Sequence, residues 1–190
     1  YEGVLMCSCA GGANAYSTVP VEREEVRLRL IELSIDGLAS GHSGVEIDKG
    51  RANANVLMGR LLGALGDKLP LRLVKLEGGS RETAIAAAAT ALVGVPEVSA
   101  AEAVDTARAC GAVFAREYAA AEPGLRLNAK PVDYDTVKAL SLESTARVVR
   151  VLLALPDSVQ AMSVDMPGLV QTSLNFGILQ LRENELYCAN

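Results

Sequence analysis

The chain has 190 residues, 50% of them hydrophobic and 22% charged, a balance that suits a folded domain and excludes a disordered one. Its net charge of -5, with no run of five Lys or Arg, excludes the basic patches that nucleic acid or an anionic membrane would need as partners. No apolar stretch reaches the ~18 to 20 residues of a membrane span, and residues 1–10 lack the basic start of a secretory leader.

Taken in order, residues 3–9 are short and apolar and read as a strand, broken by Gly11-Gly12-Ala13-Asn14. Glu22, Glu24 and Glu25 read as a solvated charge run before the next strand. Over residues 26–35 the apolar positions alternate, but the phase shifts from Val26, Leu28 and Leu30 to Ile31, Leu33 and Ile35. That shift predicts a bulge, or burial on both faces of a long strand. A Gly-rich loop, Gly41-His42-Ser43-Gly44, comes next. Ala54, Leu57, Met58, Leu61, Leu62 and Leu65 then make one helical stripe over residues 52–65.

Residues 71–76 read as a strand and Gly78-Gly79 as a turn. Residues 83–95 are apolar and Ala-rich, and the preceding turn favours a strand. Ser99 with Glu102 has the spacing of a capping box, so a helix is expected from there, with Val104, Ala107, Gly111, Phe114 and Tyr118 inward and Pro123-Gly124 as its stop. Residues 125–129 close the series strand, helix, strand, strand, helix, strand. This is the ferredoxin-like pattern, an α+β two-layer sandwich with an antiparallel sheet and both helices on one face. An extension over residues 131–190 adds a helix (142–155, with Thr145, Val149, Leu152 and Leu153 on one side), strands at 158–163 and 171–181, and a turn at 182–185 into a last strand. The ferredoxin-like part is placed at about residues 24–130, and residues 1–190 as a whole form one sandwich. The start at Tyr1 and the stop inside an apparent strand read as a piece cut from a longer chain.

Few residues offer chemistry. His42 is the one imidazole, between glycines that let a loop tip approach another surface. Asn53 and Asn55 read first as helix capping. Gly78-Gly79-Ser80-Arg81 could hold an anion, although a plain hairpin explains it as well. The four cysteines, at 7, 9, 110 and 188, lack a zinc spacing and read as free thiols of a reducing cytoplasm. No Ser-His-Asp arrangement, phosphate loop or dinucleotide fingerprint is present.

Four ordered segments carry a resemblance. Residues 33–44, ending in Gly41-His42-Ser43-Gly44, resemble the lid strand and loop of the aminoacyl-histidine dipeptidases, a carnosinase-like family of di-zinc exopeptidases. Asp48-Lys49-Gly50-Arg51-Ala52-Asn53-Ala54-Asn55 continues the match. Residues 2–12 resemble the segment after a metal-binding Asp, and Gln171-Thr172-Ser173-Leu174-Asn175-Phe176-Gly177 the strand near the end of the lid.

The resemblance implies a lid and dimerisation domain, inactive alone, from a cytoplasmic zinc metallopeptidase that hydrolyses Xaa-His dipeptides. It implies two Zn ions and a Glu base in a separate catalytic domain, no metal ligand or cofactor in this chain, and as partners that catalytic domain, a second copy and the dipeptide. It also implies a role for His42: hydrogen bonding to the scissile carbonyl beside the zinc ions. Two positions depart from the family. Thr83 stands where the family has Asn, and Ala161 where it has an Arg that grips the substrate carboxylate. Arg81 could substitute in part. Two other functions fit the residues: an interaction module of a degenerate, non-catalytic homologue, and a free-standing ferredoxin-like domain that binds a small ligand.

Overall fold

The computed structural model describes Gly3, Leu5 and residues 10–190. The strand expected over residues 3–9 falls largely outside these residues, as do Cys7 and Cys9. Among the described residues nine strands and four α-helices follow in the order β1 (Tyr16–Pro20), β2 (Arg23–Asp36), α1 (Ser43–Glu46), α2 (Ala54–Gly66), β3 (Arg72–Gly78), β4 (Ala89–Val95), α3 (Ala100–Glu117), β5 (Arg126–Leu140), α4 (Leu142–Ala154), β6 (Ser158–Met162), β7 (Val170–Leu174), β8 (Ile178–Leu181) and β9 (Glu185–Ala189). Seven strands form one antiparallel sheet in the order β1-β9-β8-β3-β4-β2-β5, and β6 pairs with β7 in a separate hairpin. β2, α2, β3, β4, α3 and β5 are the expected ferredoxin-like series.

The phase shift in β2 has a clear cause. Ile31, Leu33 and Ile35 enter the main core with Leu57, Leu61, Leu62, Val148 and Phe176. Leu28 and Leu30 join a smaller cluster with Ala139, Val26, Val74 and Val137. One strand thus buries opposite faces in its two halves. The irregularity lies in the partner: pairing steps from Arg29↔Tyr134 to Ile31↔Pro131, so β5 carries the extra residue beside a proline that has no N–H to give. The helices cover one face. α2 packs against α3, α4, β2 and β4, and its stripe Leu57, Met58, Leu61, Leu62 and Leu65 is wholly buried.

Several expectations are corrected. β5 is much longer than residues 125–129, because residues 23–36 offer a partner along its whole length. Residue 131, the expected start of the extension, therefore lies inside a strand. Only Ala89–Val95 of residues 83–95 is strand; the preceding backbone groups bond the His42 loop and the start of α2 instead. The strand expected over 171–181 is broken at residues 175–177, where Phe176 N–H donates to Asp157 Oδ1 (2.7 Å) rather than to a neighbouring strand. Ser99 precedes α3 but makes no side-chain cap, since a 3-10 turn over Glu97–Ser99 leads into the helix. Leu153 is 55% exposed, and Val148 and Ser144 face the core in its place. β1 carried no periodic signal; it pairs with β9, and its Pro20 carbonyl accepts from Arg147 on α4 (3.3 Å).

Candidate functional site

The chain leaves β2 through Gly37 and builds a loop that returns at Ala52. His42 caps α1: its Nδ1 accepts the Gly44 N–H (3.0 Å), and its own N–H donates to Glu46 Oε2 (3.1 Å). This reciprocal pair works as a capping box does. With Nδ1 occupied as an acceptor, the neutral ring carries its proton on Nε2, and the imidazole is exposed.

An ion pair stiffens the loop from within. Arg51 Nη2 meets Glu46 Oε1 at 3.0 Å, Lys49 meets the same oxygen at 2.9 Å, and Arg51 also donates to the Ser40 carbonyl. The bonds from Lys49 and Arg51, then from the His42 N–H, hold the Glu46 carboxyl down at about 2. Gly41 sits at φ 141, which side chains rarely adopt, and a Cβ there would push the Arg51 and Glu46 side chains aside, so a substitution before His42 would strain the loop. Ser40 sits at φ 57, a left-handed value that is unusual for serine, and its Oγ donates to the Ile85 carbonyl (2.6 Å).

The segment after the Gly-Gly turn runs beside this loop. Ser43 N–H donates to the Thr83 carbonyl (2.9 Å), Ile85 N–H to the Gly41 carbonyl (2.9 Å), and His42 bridges to Ala84. Arg81 and Thr83 are exposed in this segment. Main-chain bonds therefore bring positions 42 and 83 together, with Arg81 two residues before Thr83. Ala161 lies on β6, which rests against the Ile47–Lys49 turn at the far end of the loop, and it too is exposed. Asn53 caps α2 as expected, accepting the Asn55 N–H (3.0 Å). A groove of about 440 Å³ between β3, β4 and β8 is lined by Glu77, the Gly78-Gly79 turn, Ser80, Thr90 and Gln180, and does not include His42.

Sequence reasoning missed the residues that hold these pieces. Asn175 Nδ2 donates to the Glu82 and Ala84 carbonyls (2.7 and 3.0 Å). Asp157 Oδ1 accepts from Asn53 Nδ2 (2.8 Å) and the Phe176 N–H; burial pushes this carboxyl up, against those bonds. Glu122, 3% exposed, accepts the Ala39 and Ala52 N–H groups. The partners stand 70 to 93 residues apart in the chain for Glu122 and Asn175, so no local pattern marks them.

Among the described residues no three His, Cys, Asp or Glu side chains gather as a metal site would need. Cys110 and Cys188 are free thiols, and burial pushes Cys188 up to about 12, far from a reactive thiolate.

A model of the peptidase dimerisation domain matches residues 33–122. Over 195 residues the chain is 34% identical to the cytosol non-specific dipeptidase of Escherichia coli (strain K12), an alignment that takes in 98% of this chain and 39% of that protein. The crystal structure of aminoacylhistidine dipeptidase from Vibrio alginolyticus matches with a TM-score of 0.87 at 29% identity, covering 93% of this chain and 36% of that one. The chain thus spans well under half the length of either relative.

Proposed function

We propose that this chain, whose residues 33–122 match the peptidase dimerisation domain model, is the lid and dimerisation domain of a zinc-dependent dipeptidase and that it supplies His42 to an active site whose remaining groups lie outside it. The supporting observation is the fixed imidazole. Gly44 N–H occupies Nδ1, which leaves an exposed Nε2–H as a donor for a scissile carbonyl that gains negative charge. The two zinc ions are proposed to be held by that separate catalytic domain, as the resemblance implies. Xaa-His dipeptides are the proposed substrates, by analogy with the Vibrio relative. Arg81 and Thr83, in the segment bonded to the His42 loop, are the proposed substrate contacts. A cytoplasmic location is proposed from the name of the Escherichia relative.

A second reading has its own support. Ala161 stands on exposed β6 with no cationic side chain to grip a carboxylate, which fits a non-catalytic homologue that keeps only the dimerisation role. Dipeptide hydrolysis by the longer protein containing this chain separates the two. The leading reading expects cleavage of Xaa-His dipeptides by the longer protein and none by this chain alone. A longer protein that is folded, metal-loaded and inactive on every dipeptide would leave the second reading in place.

The homodimer is proposed to form along a sheet edge or a helix face, and β5, 15 residues long, ends the sheet on one side. Sedimentation equilibrium should show association; a strict monomer at ~100 µM would contradict it, since that concentration corresponds to only about 5.5 kcal/mol.

A further inference from the structure

Glu122 has no part in the chemistry described so far, yet it closes the loop that carries His42. It sits in the turn between α3 and β5, where its N–H donates to the Tyr118 carbonyl (2.8 Å) and its carbonyl accepts the Leu125 N–H (3.1 Å). Its side chain reaches the base of the neighbouring loop. Oε2 accepts the Ala39 N–H (2.6 Å) and Oε1 the Ala52 N–H (3.1 Å). Ala39 and Ala52 are the two ends of the segment that holds Ser40, Gly41, His42, Glu46 and Arg51. One carboxylate therefore ties both ends.

A second contact joins the same two pieces. Gly37, at φ +78, packs so closely on Gly124 that a Cβ would fall on the Gly124 carbonyl oxygen. The turn after α3 is thus a seat on which the His42 loop rests, touched at Gly37, Ala39 and Ala52.

This position is an unfavourable one for a carboxylate. It is buried, where a carboxylate must find hydrogen-bond donors to replace water. An apolar side chain would fill the space at less cost but could not accept two amides. The two charge-assisted bonds are what the carboxylate adds.

We propose that Glu122 is a positioning residue for His42: by fixing both ends of the 39–52 loop it sets where the imidazole Nε2–H points. This rests on the role proposed for His42. The two are tested together in the full-length protein by a double-mutant cycle of His42→Ala and Glu122→Gln, read as kcat and KM. Gln keeps one acceptor and turns an NH₂ group toward the other amide. Alone it should lower kcat on the order of 10- to 100-fold with KM little changed, because a misplaced donor is lost mainly in the transition state. In the His42→Ala background it should change kcat by less than about twofold, since both substitutions act through one group.

Hydrogen exchange gives a readout that does not depend on activity. Exchange should rise over residues 39–52 while α2 keeps its protection. If Glu122→Gln does not fold, Glu122→Asp, which keeps the charge and withdraws both oxygens by one methylene, takes its place in the cycle. Losses that multiply in the cycle, or unchanged exchange over residues 39–52, overturn the proposal. Full activity of Glu122→Gln beside an impaired His42→Ala overturns it alone. Full activity of His42→Ala overturns the role of His42 itself, and the positioning role with it.

Discussion

Helix α2 and the His42 loop lie next to each other in the chain and are stabilised in different ways. α2 is held by apolar burial: Leu57, Met58, Leu61, Leu62 and Leu65 are all 0% exposed. The loop from Ala39 to Ala52 buries little, with Ile47 its main apolar anchor besides Ala52. It is held by directional bonds from Glu122, Glu46, Arg51 and the backbone of residues 83–85. Burial gives depth of stability without aim. Hydrogen bonds from several distant elements give aim, which the role proposed for His42 requires.

The contrast can be broken first on the side of the core. Leu61→Ala should lower the unfolding free energy by about 3 to 5 kcal/mol through lost burial and a residual cavity. It should leave kcat of the remaining folded protein near that of the parent; chemical denaturation and kinetics on the same preparation check both.

Asn175→Ala should cost less stability, about 1 to 3 kcal/mol, because two part-buried carbonyls lose their donor. It should cost more activity than Leu61→Ala, because Glu82 and Ala84 anchor the strip that pairs with the His42 loop. Equal effects of the two substitutions on kcat would erase the distinction drawn here.

The smallest effect concerns pH. Glu46 is held at about 2 against an ordinary 4.5, so its contribution is present in full above about 4.5 and is lost as pH falls from there through about 2. Melting temperatures of the wild type and Glu46→Gln should differ at neutral pH and converge over that window. A gap that stays constant down to pH 2 would mean that the carboxylate does not carry the loop.

The same division explains what could be read from the sequence. The apolar stripe of α2 and the alternation in β2 each reflect one local period, so those elements and the ferredoxin-like series were legible. The change of face in β2 was legible as a phase shift, although the bulge itself lies in β5, whose length depends on a partner about a hundred residues away. Residues 83–88 read as strand because a Gly-Gly turn precedes them, and residues 175–177 because the alternation of Thr172, Leu174, Phe176 and Ile178 runs through them. Their backbone groups are used instead by the His42 loop, the start of α2 and Asp157, and nothing local records that. Likewise His42 stood out as the one imidazole, while Glu122 looked like any carboxylate before a Pro-Gly stop.

His42→Ala in the full-length protein, with dipeptide kinetics and a melting curve measured side by side, tests the central claim most directly. A donor that acts in the transition state predicts a fall in kcat on the order of 10²- to 10³-fold, with KM and melting temperature nearly unchanged. A kcat within about threefold of the parent, or a loss that follows early melting, would contradict it.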